Sequence, residues 1–159
     1  MIERTLVLLK PDAVQRGIMG RIIQRFEDAG LKAVGIKMVW VDEKFSKKHY
    51  SAHIKKAFYA GLEKFITEGP VVAMAVEGLH AVDAVRKIVG PTEPKTAPPG
   101  TIRGDFAHHS YEWTDKKGIA IKNLIHASGN TKEAKKEVKL WFKDKEMHSY
   151  KTVHERHVF

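Results

Sequence analysis

His126 lies inside the run Asn123-Leu124-Ile125-His126-Ala127-Ser128, with apolar residues leading into it. A helix-start signal follows, Asn130 with Glu133 three residues on, so the imidazole is expected where a strand gives way to a helix. A side chain at such a junction is held rigidly yet stays open to a ligand. Two further stretches carry cations suited to phosphate: Lys10-Pro11-Asp12, and Gly100-Thr101-Ile102-Arg103-Gly104-Asp105-Phe106. Arg86 adds a cation late in a predicted helix. Guanidinium forks match phosphate oxygens in two-point contacts worth about 1.5–3 kcal/mol per charge-assisted bond. Gly100 and Gly104 on either side of Arg103 let the backbone approach a ligand closely. An unprotonated imidazole among such cations has the chemistry of a phosphoryl acceptor, because attack on phosphorus needs the ring lone pair and free histidine titrates at about 6.5. Taken singly, such a histidine is more often a satisfied buried residue, and each cation reads equally as a surface salt bridge or solvated charge.

Those residues need elements to hold them. Thr5 to Leu9 is a continuous apolar run, the mark of a strand buried on both faces. Ile18, Ile22, Phe26 and Ala29 recur at helical spacing, with Gly30 placed to end the helix. Leu31 to Val41 alternates as a long strand, and a helical region runs from Asp42 to Gly69-Pro70. Val71 to Val76 predicts a second buried strand, and Ala81, Val82, Val85, Ile88 and Val89 a helix closed by Gly90-Pro91. Residues 91–106 hold Pro91, Pro94, Pro98 and Pro99 and are expected to be an irregular loop. Ile119 to Ile125 is expected to be the last strand, and Ala134, Val138, Trp141 and Phe142 supply the stripe of a last helix. The order is β-α-β-β-α-β with added helices: an α/β, ferredoxin-like fold (an α+β sandwich) with a four-stranded antiparallel sheet, as one domain over residues 1–159. The tail from Asp144 is polar and expected to lie over the surface or a neighbouring subunit.

Composition narrows the class. The 159 residues suffice for one sizeable core. Zero cysteines exclude disulfides and thiolate metal sites, and with no signal-like or membrane-spanning segment evident the expected location is cytoplasmic. Lys and Arg number 28 against 19 Asp and Glu, a formal charge of +9 that favours polyanionic partners. Much of that excess is scattered lysine on solvated faces. The segment Gly90-Pro91-Thr92-Glu93-Pro94-Lys95-Thr96 mimics a P-loop but lacks the glycine before its lysine, and its prolines remove backbone N–H groups a phosphate cradle needs.

Several motifs agree at once with a known family. Glu3-Arg4-Thr5, Lys10-Pro11-Asp12, Val14-Gln15-Arg16-Gly17, Gly69-Pro70-Val71-Val72-Ala73-Met74, Gly100 through Phe106, and Asn123-Leu124-Ile125-His126 resemble nucleoside diphosphate kinase, in order over residues 2 to about 143. The resemblance implies transfer of a γ-phosphate from a nucleoside triphosphate to a nucleoside diphosphate, with His126 as nucleophile and a phosphohistidine on its pros nitrogen. It implies that Lys10, Arg86, Thr92, Arg103 and Asn123 contact phosphates and sugar, and that Tyr50 supports the cluster near Lys10. Phe58 would stack on the base, with Leu62 beside it, although both also fit a helical core stripe. Ser128 and Glu137 would orient the histidine. Mg²⁺ is expected as cofactor, held largely by the phosphates, with no metal site of protein residues although Asp105 lies nearby. A homo-oligomer, a hexamer rather than a tetramer, is implied, with no membrane and no requirement for nucleic acid.

Two departures stand out. The family has an acidic residue and a serine where this chain has Gly129 and Asn130, which should ease repulsion beside a phosphohistidine while keeping Asn130 as an N-cap. The stretch 107–122, with His108 and His109, is longer than usual and is expected to cover the base or join a subunit contact. Two rival readings remain: an RNA-recognition domain, whose stacking aromatics are missing from Leu6–Leu9 and Val71–Met74, and a catalytically silent assembly protein.

Overall fold

In the computed structural model, which describes residues 1–153 and 155–158, the apolar run at the start becomes β1 (Ile2–Leu9). Pro11 ends it by opening a short helix, α1 (Pro11–Gln15), in which its missing N–H costs nothing at the first position. Then come α2 (Met19–Asp28), β2 (Lys32–Trp40), α3 (Glu43–His49), α4 (Tyr59–Thr67), β3 (Pro70–Leu79) and α5 (Ala81–Val89). The chain continues through α6 (Ile102–Phe106), α7 (Tyr111–Lys117), β4 (Ile125–Ala127), α8 (Thr131–Trp141) and α9 (Glu155–Val158). The four strands form one antiparallel sheet in the order β2-β3-β1-β4, the ferredoxin-like arrangement expected from the sequence. Among the described residues no helix is long and apolar enough to cross a membrane.

Both sheet faces are covered, which is why β1 and β3 are apolar without alternation. On one face Val7, Leu9, Val72, Met74 and Val76 meet Ile22 and Phe26 of α2 and Val85 and Val89 of α5. On the other, Leu6, Leu8, Val34, Val71, Ala73 and Ala75 meet Tyr59 and Ile66 of α4 and Trp141 of α8. Each large side chain so enclosed contributes about 1.5–3 kcal/mol. The tail after Trp141 crosses β2: the His148 N–H donates to the Val34 carbonyl at 2.7 Å, and the Tyr150 hydroxyl to that of Ala33 at 2.6 Å.

Two expected segments differ. Residues 91–106 are not all irregular: a 3₁₀ turn at Pro94–Thr96 and α6 lie within them, the latter started by the Thr101 hydroxyl accepting from the Gly104 N–H. Apolar periodicity missed α6 because one turn is too short to show it. The last strand is not Ile119–Ile125; it is β4, residues 125–127, and His126 sits inside it opposite Leu8. Gly118 (φ 63°) ends α7 in the left-handed region, and Leu124 at φ 70° breaks any extended run before Ile125. Ile119 to Ile121 instead line a cavity.

Gly104 permits a close crossing within this turn. A Cβ there would overlap the Pro98 carbonyl oxygen and press on that of Ala97 at 2.9 Å, whereas a Cβ on Gly20 of α2 meets nothing within 4 Å. Gly104→Ala should therefore lower stability by roughly 2–4 kcal/mol, and Gly20→Ala should raise it by up to about 1 kcal/mol. Urea unfolding of both variants checks the pair; equal midpoints would contradict the crossing.

Candidate active site

The segment 123–125 is the hub. Asn123 is 1 % exposed, and its side-chain amide is fixed at both ends: Oδ1 accepts from Lys10 Nζ at 2.7 Å, and Nδ2 donates to the Thr92 carbonyl at 2.8 Å. The Lys10 backbone N–H donates to the Leu124 carbonyl at 2.8 Å, and the Leu124 N–H donates to Asp12 Oδ2 at 3.0 Å. Arg103 donates to three backbone carbonyls: Nε to Asn123 at 3.2 Å, Nη1 to Gly90 at 2.9 Å and Nη2 to Ile125 at 2.6 Å. Of its five N–H donors, two remain for a ligand. Gly90 stands at φ 85°, and a Cβ on it would meet Thr101 at 2.8 Å, so this carbonyl can be presented to Arg103 only from glycine.

The electrostatics follow from that packing. Burial, with Arg103 adding repulsion, lowers Lys10 to about 8, and Asp12 only partly opposes this. Burial likewise lowers Arg103 to about 10, with Arg86 repelling it while Tyr111 and Asp12 oppose the shift. Neither cation forms an ion pair with a carboxylate among the described residues. Both charges are therefore left for something else to neutralise.

His126 is partly exposed on β4, and its Nε2 lies 3.1 Å from both Glu137 carboxylate oxygens. Glu137 projects from α8. Burial raises its pKa, but bonds and charge from His126 and Ser128 outweigh this and hold it below the usual range. A carboxylate accepts only, so the ring proton sits on Nε2 and Nδ1 carries the lone pair. Ser128, fully buried, donates to Glu137 at 2.6 Å and accepts from the Leu6 N–H at 3.2 Å, tying the carboxylate to β1.

A cavity of about 790 Å³ opens over this surface, lined by Lys10, Tyr50, Phe58, Leu62, Arg86, Thr92, Arg103, Asn123 and His126 among others. Ser128 and Glu137 stand behind the imidazole, outside that lining. Phe58 is 56 % exposed at the start of α4, so it is no core residue, whereas Leu62 borders both the cavity and the core. The Tyr50 hydroxyl is buried without a partner, and burial pushes its pKa up. Asp105 is spent elsewhere, accepting from Arg25 and from the Gly100 N–H.

Three neighbours had no signal in the sequence. His49 lies edge-on to His126 with ring centroids 4.8 Å apart, and its Nδ1 accepts from Trp141 Nε1 at 3.1 Å. Burial, together with His126, lowers His49 to about 3, so it is neutral. His49, His126 and Glu137 converge within 4.8 Å, but His49 Nδ1 already accepts from Trp141 and His126 Nε2 faces Glu137 as a donor, so neither of these nitrogens offers a metal its lone pair. His53 and Asp115 also face the cavity. Trp141 read only as part of a helical stripe, and lone histidines and acids far apart in sequence carry no spacing rule.

A family model described as nucleoside diphosphate kinase matches residues 3–147. A nucleoside diphosphate kinase of Pyrococcus furiosus is 50 % identical over 149 residues, covering 94 % of this chain and 88 % of its own. The Borreliella burgdorferi enzyme of the same name is 46 % identical over 156 residues, covering 95 % of this chain and 93 % of its own. Among solved structures, a transition-state mimic of the Borrelia burgdorferi enzyme with vanadate and ADP superposes with a TM-score of 0.95 at 45 % identity, covering 99 % of this chain and 96 % of that one. A Halobacterium salinarum enzyme in complex with CDP gives 0.88 at 39 % identity, covering 100 % and 99 %.

A buried lysine lowered to about 8 loses its charge as pH rises through that value, unless an anion holds the proton on. Inorganic triphosphate should therefore bind more weakly above pH 8, and its binding at pH 8.5 should take up protons. Calorimetry in buffers of different ionisation enthalpy checks this; observed heats that do not change from buffer to buffer would mean no proton uptake and count against a lowered Lys10.

Proposed function

The chain belongs to the nucleoside diphosphate kinase family, and from that premise we propose that His126 is the residue that carries the phosphoryl group. The observation that supports this most directly is the imidazole's polarity: Nε2 is engaged by Glu137, while Nδ1, the pros nitrogen, has no partner among the described residues and its ring borders the cavity. The Nδ1 lone pair attacks the γ-phosphorus of a nucleoside triphosphate, the bond to the β–γ bridging oxygen breaks, and the diphosphate leaves with that electron pair. The acceptor diphosphate then attacks phosphorus in turn and restores the imidazole. Glu137, fixed by Ser128, offsets positive charge on the ring as the N–P bond forms.

Lys10, Arg103 and Arg86 meet the phosphates, and the uncompensated burial of the first two supports that role. Thr92 and Asn123 lie at the same end, joined by the hydrogen bond from Asn123 Nδ2 to the Thr92 carbonyl, and Tyr50 lines the cavity with them. Phe58 offers an exposed ring on which any base can stack, with Leu62 at its edge. The vanadate and ADP in the Borrelia relative, and the CDP in the Halobacterium relative, support di- and triphosphates of nucleosides as substrates here.

Mg²⁺ fits this donor set as a companion of the substrate: the phosphate oxygens would hold it and lose part of their negative charge to it. One carboxylate, Asp115, borders the cavity, too few for a protein cage. The whole chain, 1–159, forms one cytoplasmic domain of this family. A homo-oligomer is supported by Ile36, Met38 and Trp40 standing 55, 56 and 67 % exposed along β2, the edge strand, and the family resemblance makes it a hexamer rather than a tetramer. Light scattering on the purified protein should return six times the chain mass, and Met38→Arg should reduce it; a monomer at micromolar concentration would overturn the assembly.

Varying ATP against fixed levels of GDP should give parallel reciprocal plots, and labelled ATP alone should label the protein. His126→Ala should abolish that label while leaving ADP binding within about twofold, because the phosphate-facing cations are untouched. Label persisting on His126→Ala, or intersecting plots, would place the nucleophile elsewhere or remove the intermediate.

A further inference from the structure

The long stretch 107–122 forms a second wall of the nucleotide cavity. Its helix, α7, turns one face inward: Tyr111, Thr114, Asp115 and Gly118 line the cavity at the i, i+3, i+4, i+7 spacing of a single helical face. Glu112, Trp113, Lys116 and Lys117 point the other way, where Lys116 pairs with Glu112 at 2.9 Å and Lys117 lies over the Trp113 ring. Opposite stands the first turn of α4, with Phe58, Gly61 and Leu62, and the two walls meet where Gly61 approaches Ala120.

This wall is built into the site. Ser110 caps α7 by accepting from the Trp113 N–H, and the Tyr111 N–H donates to Glu93 at 2.8 Å. The Lys95 N–H reaches the His109 carbonyl at 3.0 Å, and the Lys122 N–H reaches His109 Nδ1 at 3.3 Å. His109 is thus a brace joining the ends of the segment.

Asp115 is the one carboxylate among the lining residues, and it forms no side-chain hydrogen bond or ion pair among the described residues. A carboxylate accepts only, and it repels phosphate. Its place along α7 follows from how the helix is anchored. α7 starts where the Tyr111 N–H meets Glu93, next to Thr92, and it runs towards Ala120, which packs on Gly61 in the wall that carries Phe58 and Leu62. Asp115 stands one helical turn, about 6 Å, along α7 from Tyr111 in that direction. A base edge that meets this carboxylate must offer hydrogen-bond donors.

We propose that Asp115 reads the donor edge of the stacked base and gives the site a graded preference for guanine. Guanine presents an N1–H and an N2–H₂ side by side, a pair that one carboxylate accepts together. Hypoxanthine keeps only the first, and uracil presents one N–H between two carbonyl oxygens that repel the carboxylate. Stacking on Phe58 keeps every base acceptable, so Asp115 ranks bases and excludes none. The inference rests on nucleotides occupying this cavity.

The test is the acceptor kcat/KM of GDP, IDP and UDP at fixed ATP, measured for the wild type, Asp115→Ala, Asp115→Asn and the outward-facing Glu112→Gln. Taking ratios between acceptors cancels any effect on the ATP half-reaction. The wild type should prefer GDP to UDP, and Asp115→Ala should lower the GDP:UDP ratio about tenfold and the GDP:IDP ratio by a smaller factor, as loss of charge-assisted bonds partly open to water requires. Asp115→Asn keeps the shape and should fall between, and Glu112→Gln should match the wild type. Unmoved ratios, or an equal loss for all three acceptors as from a contact to ribose, would overturn the assignment. Phosphohistidine formation from labelled ATP separates the two failures: with the label on His126 intact and the ratios unmoved, this inference alone falls, whereas label surviving in His126→Ala removes the reading beneath it.

Discussion

Everything in the site depends on burying two cations without giving them carboxylate partners. Lys10 and Arg103 are each 7 % exposed, and their hydrogen bonds go to neutral oxygens: the Asn123 side chain for the lysine, three backbone carbonyls for the arginine. A salt bridge would have satisfied both charges and left nothing for a ligand. Carbonyls satisfy geometry while leaving net charge in place, and the lowered pKa values record what this costs. Moving Lys10 from 10.5 to about 8 means that holding its ammonium in the fold costs roughly 3 kcal/mol. Because the folded value is the lower one, that cost is fully present below pH 8 and disappears as pH rises towards the unfolded value. A polyphosphate entering the cavity supplies the missing negative charge, so part of its binding energy comes from relieving a defect already built into the fold.

The His126 imidazole is positioned on a different plan. His126 is fixed by a short strand on one side and by α8 on the other, and the helix contributes two side chains one turn apart: Glu137 to His126 and Trp141 to His49. His49 then closes against the His126 ring edge-on. With Nδ1 of His49 accepting from Trp141 and its pKa near 3, its proton stays on a buried Nε2 that finds no acceptor. The wall beside the imidazole is therefore neutral, and Glu137 is the charged group that orients it. Rigid positioning of this kind lowers the reorganisation needed as phosphorus is attacked.

How much of this was legible in the sequence differs by residue. β1 and β3 were readable because burial on both faces demands continuous apolar runs, and the order of elements fixed the sheet. The cations were visible because Lys10 precedes a proline and Arg103 sits between glycines. β4 was misplaced because Ile119 and Ile121 are apolar for a different reason: they line a ligand cavity and build no sheet. Leu124, held at φ 70° with its N–H given to Asp12, has no sequence mark at all. His49 was invisible for the same kind of reason, since its partners His126 and Trp141 lie far along the chain and only tertiary packing brings them together.

The chain's departure after the histidine now has a physical account. Gly129 replaces an acid, which by itself would leave fewer negative charges beside the imidazole. Glu133 brings a carboxylate to the loop from further along: it accepts from the Gly129 N–H at 3.0 Å and from Asn130 Nδ2 at 3.1 Å, while Asn130 Oδ1 accepts from the Glu133 N–H at 2.9 Å. This reciprocal cap starts α8 and brings the Glu133 carboxylate back over the loop, close enough to raise the affinity of His53 for its proton against a net shift that burial drives downward. A Cβ at position 129 would meet Glu133 Oε2 at 2.6 Å, so a larger residue there would turn that carboxylate aside. Glu133, the third residue of the helix, thus sets a carboxylate over the loop that follows the histidine. That cap keeps the amide groups at the start of α8 satisfied, which holds Glu137, one turn further on, at the angle that meets His126.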